Sequence, residues 1–190
     1  RKYWSINNAK KEIKTIKELN ENLLKNISSE YDKFDVILGE PLFINQFKLS
    51  KFLKKNFFKI LKKPEYLLNK KQRTIKFHFD LMHGEGNLDK AILLLENNDR
   101  DDFNHFVNTE VSFNPHNMFI CKSKEVLKNY YDTIFPWLAR CEKKFGFDLD
   151  GYGLKRIYGF LAERFMSYWF KKYTKNTTLP IIFKDLNELD

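Results

Sequence analysis

The stretch RIYGFLAERFMSYWF, residues 156–170, places a glutamate and an arginine side by side within an otherwise apolar run. At 3.6 residues per turn, its aromatic and aliphatic groups cover nearly every side, which is typical of a helix buried inside a protein. One stripe of this helix carries Arg156, Gly159, Glu163 and Ser167. Because a buried charge is costly unless it is paired or used, Glu163 is predicted to point into a polar cavity or to pair with Arg156. A purely structural buried ion pair is an equally open interpretation.

The composition indicates one compact domain. The chain has 190 residues, of which 43% are hydrophobic and 16% aromatic, so a disordered protein is excluded. Only seven glycines and five prolines occur, which argues against a loop-rich β architecture. No apolar window of about 18 uncharged residues is present, so no membrane span is predicted. The start RKYWS lacks a methionine and the order of a signal peptide, and we expect a cut within a longer protein.

Charge and cysteine usage add two further constraints. The net charge is +9, and residues 48–76 contain eleven lysines and arginines against one acid, Glu65. This window accounts for the whole excess. Cys121 and Cys141 have no metal-type spacing, so neither a disulfide framework nor a zinc site is expected, and a reducing cytosol fits best.

The hydrophobic periodicity predicts a helix-rich α/β or α+β domain over residues 1–190. Helical spacing predicts helices at residues 7–29, 47–61, 87–96, 123–144 and 156–170. Short apolar runs predict strands at residues 34–38, 117–121 and 180–183. Polar loops are predicted at residues 98–105 and 145–153.

The segment HFDLMHGEGNLD, residues 78–89, concentrates two of the four histidines near three acids, Asp80, Glu85 and Asp89. Imidazole and carboxylate are common ligands of transition metals. However, the spacing of His78 and His83 is not the i, i+4 pair of a zincin helix, and the following glycines would interrupt such a helix. No metal site is therefore predicted; contact with a substrate hydroxyl or phosphate, or a structural role, remains open for these histidines.

Other chemical motifs are weak or missing. Asp148 and Asp150 form a D-x-D pattern, which holds a divalent cation in many glycosyltransferases, but they lie in a predicted loop, where a solvated loop or a helix cap is favoured. A Gly-rich phosphate loop, a G-x-S-x-G elbow and a C-x-x-C pair do not occur.

The basic segment at about residues 47–76 opens with an amphipathic helix. Three interpretations are open for it: an ordinary solvated face, a helix lying on anionic lipid, or a nucleic-acid contact. Lipid is favoured over nucleic acid because the apolar positions form a continuous face flanked by lysines.

Three motifs resemble a bacterial family of capsular and exopolysaccharide biosynthesis glycosyltransferases, catalogued as a domain of unknown function with galactofuranosyltransferase-like members. They are NMFI at residues 117–120, YDTIFPWL at residues 131–138 and RIYGFLAER at residues 156–164. Trp137 follows Pro136 here, whereas the family usually has the reverse order. The strong match covers about 55 residues, and weaker similarity, including FDVIL at residues 34–38, extends over most of the chain.

The resemblance implies a GT-A-like α/β enzyme of the hexosyltransferase class. It would move a sugar from a nucleotide donor, most simply a UDP-sugar, to a growing surface glycan or a lipid-linked glycan. It also implies that the chain is the C-terminal part of the domain, with much of the donor-nucleotide side upstream of Arg1. A divalent manganese or magnesium ion is an open cofactor, and the expected location is the cytoplasm or the inner face of the membrane.

The resemblance also implies residue roles. Glu163 corresponds to a family glutamate and would act as general base on an acceptor hydroxyl or would orient it, with His83 as a second catalytic candidate. Arg156 and Arg164 would balance the donor diphosphate or fix Glu163. His116, Asn117 and Asp80 are further candidates for donor or acceptor contacts. The rival hypothesis is a non-enzymatic binding module that uses the basic helix for a membrane or, less favoured, a nucleic acid, with Glu163 and Arg164 merely structural.

Overall fold

The computed structural model describes residues 2–6, 13–46, 69–185 and 187, and over these it has a mixed α/β architecture in which helices predominate. The helices are α1 (Ile16–Asn22), α2 (Ile75–His83), α3 (Asn87–Ile92), α4 (Asn97–Thr109), α5 (Lys124–Phe145), α6 (Tyr152–Lys155) and α7 (Ile157–Tyr173). The strands are β1 (Lys2–Trp4), β2 (Val36–Gly39), β3 (Leu42–Phe43), β4 (Ser112–Phe113), β5 (Phe119–Cys121), β6 (Asn176–Leu179) and β7 (Ile181–Phe183). The predicted helix at residues 47–61 lies outside the described residues.

The strands form small sheets rather than one large sheet. The order β5-β2-β6 forms the largest of them, with β2 antiparallel to β5 and parallel to β6. Strand β1 pairs antiparallel with β7, and β3 pairs antiparallel with β4. The pairing of β1 with β7 joins two segments that are far apart in the sequence. The mixed α/β class is thus confirmed, whereas the finer GT-A assignment stays a prediction.

The core is built around α7, as the periodicity of residues 156–170 predicts. Phe165 of α7 is fully buried and lies against the rings of Phe103 from α4 and Trp137 from α5. The indole N–H of Trp137 donates to the carbonyl of Ala91 at 2.8 Å, so its one polar group is satisfied. Tyr168 is 4% exposed, which agrees with a role in the core rather than as a sugar platform.

The helix predicted at residues 7–29 is shorter than expected. Thr15 and Glu18 form a capping box at the N-terminus of α1, so the helix begins at Ile16. After Asn22 the backbone becomes extended, and Leu23 forms an isolated bridge with Ser5 of the N-terminal segment. Pairing with the N-terminal segment therefore replaces continuation of the helix beyond Asn22.

The loop prediction for residues 98–105 is wrong, because these residues lie in α4. Phe103 and Val107 are fully buried, and Phe106 packs beside them against the core. The first turn of α4 is polar, so the sequence alone does not reveal this apolar stripe. In the fold, the stripe packs against α2, α3 and α7. Tertiary packing has here overridden a polar local composition.

No helix among the described residues is long and apolar enough to cross a membrane.

Candidate functional site

A cleft of about 560 Å³ lies where the first half of α7 meets α2, α6 and the segment between β4 and β5. The candidate site residues that the structure brings to its walls are His83, His116, Arg156, Glu163 and Arg164. They come from three separate stretches of the chain. The cleft is thus the place where the sequence-predicted side chains converge.

Glu163 forms an ion pair with its neighbour Arg164, not with Arg156. One carboxylate oxygen of Glu163 accepts from the Arg164 guanidinium at 2.8 Å, and the other accepts from the backbone N–H of His116 at 3.0 Å. Of the two arrangements predicted for Glu163, the pairing with Arg156 is therefore wrong, whereas its position on the wall of a cleft is observed. The reason is geometric: the Arg156 side chain turns toward the rings of Tyr152 and Phe160 instead.

Arg164 is only 1% exposed, and its surroundings are largely aromatic. Its guanidinium lies 4.1 Å from the centre of the Phe113 ring and donates to Nδ1 of His78 at 3.1 Å. Burial lowers the pKa of Arg164 to about 10, against the opposing charge of Glu163. Burial, and then the charge of Arg164, holds the pKa of His78 well below its ordinary value, so His78 is neutral.

The segment between β4 and β5 has an unusual backbone. His116 and Asn117 both have positive φ angles, of 85° and 50°, which are uncommon for residues other than glycine. The polar stripe of α7 holds this segment: besides Glu163, the Ser167 hydroxyl accepts from the Asn114 N–H at 2.8 Å. The Asn117 amide donates to the Gly159 carbonyl at 3.0 Å. The stripe predicted from the sequence is therefore an anchor for this strained segment.

His83 is 4% exposed and stacks on Phe160, with 4.0 Å between ring centres. Its Nδ1–H donates to the Gly153 carbonyl at 3.2 Å, so the other ring nitrogen, Nε2, carries the lone pair. Burial, with the charge of Arg164, lowers the pKa of His83 to about 3. A Cβ at Gly153 would stand 2.2 Å from the carbonyl oxygen of Met82, so only glycine permits this close approach.

The charges along the cleft do not cancel. Because Glu163 and Arg164 neutralise each other, the remaining charges on its walls are those of Lys2 and Arg156. Neither Lys2 nor Arg156 forms an ion pair within the described residues. The third wall histidine, His116, has its pKa lowered to about 4 by burial and by the charge of Lys2. The cleft thus presents two unbalanced positive charges at neutral pH.

Two of the predicted site residues do not line this cleft. Asp80 lies on another face of α2, where it accepts from the Gly86 N–H and pairs with Lys76, both at 3.2 Å. Burial raises the pKa of Asp80, although Lys76 opposes the change. Asn117 is exposed and contributes through its bond to α7.

Metal-ligand geometry is absent from the described part of the chain, where no three histidine, cysteine or acidic side chains lie close enough to hold an ion. Asp148 and Asp150 are exposed between α5 and α6, as the loop interpretation predicts. Cys121 and Cys141 are both free cysteines.

Among the wall residues that sequence reasoning missed are Lys2, Tyr152 and Phe160. Lys2 reaches the cleft because β1 pairs with β7, a contact that no local pattern reveals. Tyr152 and Phe160 could have been predicted as neighbours of Arg156, since residues four positions before and after it lie next to it on a helical surface.

The family described as Domain of unknown function (DUF4422) matches residues 1–176. No curated protein and no solved structure matches the chain.

Proposed function

The chain belongs to the DUF4422 family, and we propose that it is a glycosyltransferase that moves a sugar from a nucleotide-sugar donor to a growing capsular or other surface polysaccharide. The observation that carries the proposal is the cleft of about 560 Å³ with two unbalanced positive charges. The diphosphate of such a donor is an anion, and guanidinium and ammonium groups are its usual protein partners. The resemblance of residues 156–164 to capsular glycosyltransferases favours the same activity, and a galactofuranose-type sugar is the first candidate.

In this proposal Arg156 and Lys2 bind the donor diphosphate. Arg156 is preorganised for the task, because it bonds the Tyr152 hydroxyl and lies over the rings of Tyr152 and Phe160. These rings offer an apolar surface for the sugar or base. The net positive wall would also stabilise the diphosphate leaving group, whose charge develops in the transition state.

His83 is our candidate for the general base. Its Nε2 is an acceptor, and the Gly153 carbonyl fixes the tautomer. The low pKa of His83 applies to the cleft with its own charges alone; a bound diphosphate adds negative charge, which raises the pKa of a nearby histidine. The base would therefore strengthen when the donor is bound. Glu163 is assigned to positioning, because both its oxygens already bind the protein.

The test is a screen of the full-length protein against UDP-, GDP- and CMP-sugars, with and without manganese or magnesium. Thermal shift reports donor binding, and mass spectrometry reports donor consumption. Arg156→Ala is compared with Lys155→Ala, which removes the same charge from the adjacent exposed residue outside the cleft wall. We expect Arg156→Ala to weaken donor binding about tenfold or more, and Lys155→Ala to leave it within about twofold. Silence with all donors, or equal losses in both variants, would overturn the proposal.

We further propose that the protein works at the cytoplasmic face of the membrane on a lipid-linked acceptor. The support is the composition of residues 48–76, most of which lie outside the described residues. Cosedimentation with phosphatidylglycerol vesicles, but not with phosphatidylcholine vesicles, is the expected result. If binding to vesicles persisted without any turnover of donor, the alternative of a non-enzymatic membrane-binding module would replace the enzyme.

A further inference from the structure

A second cleft, of about 490 Å³, lies between the start of α4, one face of α5 and the end of α7. It shares no wall residue with the first cleft. Of its polar side chains, only Asp132 and Thr133 belong to a motif that suggested a function, the one at residues 131–138. The ligand that fits it must be inferred from its charges, hydrogen-bonding groups and rings.

The charges around this cleft are balanced. Each of its three carboxylates has a cationic partner: Arg140 lies 3.7 Å from Glu96, Lys172 lies 3.1 Å from Asp99, and Lys128 lies 2.5 Å from Asp132. Among the residues on the wall itself, three acids face a single guanidinium. The wall thus disfavours a phosphate or another anion, and its paired acids offer little to a simple cation.

Asp99 supplies a fixed hydrogen-bond acceptor. It is 6% exposed, and one oxygen, Oδ1, accepts from the hydroxyls of Tyr168 at 2.7 Å and Tyr173 at 2.9 Å and from the Lys172 ammonium. No hydrogen bond of Oδ2 occurs within the described residues. A carboxylate oxygen held in this way can accept from a ligand hydroxyl without reorganisation of the site.

The wall contributed by α5 adds polar groups of both kinds. The Asn129 side-chain amide makes no hydrogen bond within the part of the chain that the structure describes, so its donors and its acceptor are open to a ligand. Four residues after Asp132 stands Pro136, which has no N–H for the Asp132 carbonyl. The Asp132 carbonyl therefore lacks the N–H partner four residues on that a regular α-helix supplies.

One aromatic side of the cleft is accessible. Tyr173 is 46% exposed, and its ring lies 5.0 Å from that of Trp169. A ring of this kind packs against the C–H face of a sugar, while neighbouring amide and carboxylate groups bind its hydroxyls.

We propose that the second cleft is a binding site for a neutral oligosaccharide, separate from the transfer cleft. The combination that supports it is a set of carboxylates that each have a cationic partner, a fixed carboxylate acceptor, a free amide and an exposed aromatic ring. Within the proposed function, such a site holds the growing glycan away from the point of transfer. That use rests on the glycosyltransferase proposal, whereas oligosaccharide binding itself does not.

The test uses the full-length protein and a panel of neutral hexasaccharides: maltohexaose, cellohexaose, laminarihexaose and a β-linked galactohexaose. Saturation-transfer NMR detects binding, and titration gives the Kd. Asn129→Trp fills the cleft from an exposed helix position, and Asn104→Trp makes the same change on the exposed face of α4 as a control. We expect Asn129→Trp to weaken binding at least about tenfold and Asn104→Trp to leave it within about twofold.

The outcomes separate this inference from the transferase proposal. Arg156→Ala, in the first cleft, is expected to leave hexasaccharide binding unchanged while it weakens donor binding. If no hexasaccharide binds, or if Asn129→Trp and Asn104→Trp bind equally well, the second site is overturned, whatever the donor screen shows. If hexasaccharides bind and Asn129→Trp abolishes the binding, the site is established even where no donor is consumed.

Discussion

Glu163 is important for stability, because it balances the charge of Arg164, which is 1% exposed. Glu163→Gln keeps an oxygen to accept from the His116 N–H, but it removes the charge opposite Arg164. Breaking one partner of a buried pair costs about 3 to 5 kcal/mol, and the retained acceptor reduces this, so we expect a loss of roughly 2 to 3 kcal/mol in the free energy of unfolding. Urea denaturation measures it.

Glu21→Gln, at an exposed position in α1, is the matched control and should change the free energy of unfolding by less than about 0.5 kcal/mol. If Glu163→Gln proved as mild as this control while turnover was lost, Glu163 would be the base instead of a positioning residue.

The cleft histidines predict how stability depends on pH. The pKa of His83 is about 3 in the folded protein, against an ordinary value of 6.5 in the unfolded chain. Between these values the unfolded chain binds a proton that the folded protein does not, so the free energy of unfolding falls as the pH drops from 6.5 toward 3. Above pH 6.5 the contribution is fully present and constant. His83→Gln should therefore flatten the dependence of stability on pH between 4 and 6.

Chemical denaturation at several pH values checks this slope, with His105→Gln, at an exposed histidine of α4, as the control. A slope that both variants lower equally would show that a general property of the chain, and not the buried imidazole, governs acid sensitivity.

At the scale of elements, α5 carries a proline within its length and continues through it from Lys124 to Phe145. Pro136 costs the helix one hydrogen bond, and proline is about 3 kcal/mol less favourable than alanine in a helix interior. Pro136→Ala should therefore raise the free energy of unfolding by about 1 to 3 kcal/mol, measured by urea or thermal denaturation. Pro180→Ala, between β6 and β7, is the control and should be neutral or slightly destabilising.

If Pro136→Ala instead lowered the stability, the proline itself would be required for the packing of Trp137, the next residue along α5.

The elements that could be predicted from sequence are those whose pattern is local. The period of 3.6 residues marks α5 and α7 to within a few residues, and β-branched runs mark β2, β5 and β7. Helix α4 could not be predicted in this way, because its first turn is polar. The role of its apolar residues follows only from their packing against α2 and α7.

The residues of the first cleft show the same difference between local patterns, which can be predicted from sequence, and long-range contacts, which cannot. The stripe of Glu163 and Arg156 is a local helical pattern and could be predicted, but the partner of Glu163 could not. Lys2 enters the cleft through the pairing of β1 with β7, and Asp80 misses it because α2 turns that side chain to another face. Long-range pairing and helix rotation are set by the whole fold, so no short window contains them.

At the scale of the whole molecule, most of the buried apolar side chains among the described residues fall into two clusters of unequal size. The larger cluster contains side chains of α2, α3, α4, α5 and α7 and of strand β2. The smaller cluster consists of Ile13, Leu19 and Ile182, with Tyr3 and Leu23 beside them. The smaller cluster fastens β1, and hence Lys2, to the body of the protein. Because stability differs between such units, the β1–β7 pair should open more readily than α7.

Ile182→Ala tests this difference, because Ile182 is fully buried in the smaller cluster. Loss of such a side chain costs about 2 to 5 kcal/mol. Amide hydrogen exchange followed by mass spectrometry should therefore accelerate at least about thirtyfold in β1 and α1, with α7 unchanged. Ile92→Ala, a matched change in the larger cluster, should accelerate exchange in α7 as well, since opening there requires global unfolding. Equal acceleration of β1 and α7 in Ile182→Ala would mean that the two clusters unfold as one cooperative unit, and that Lys2 leaves the cleft only when the whole domain opens.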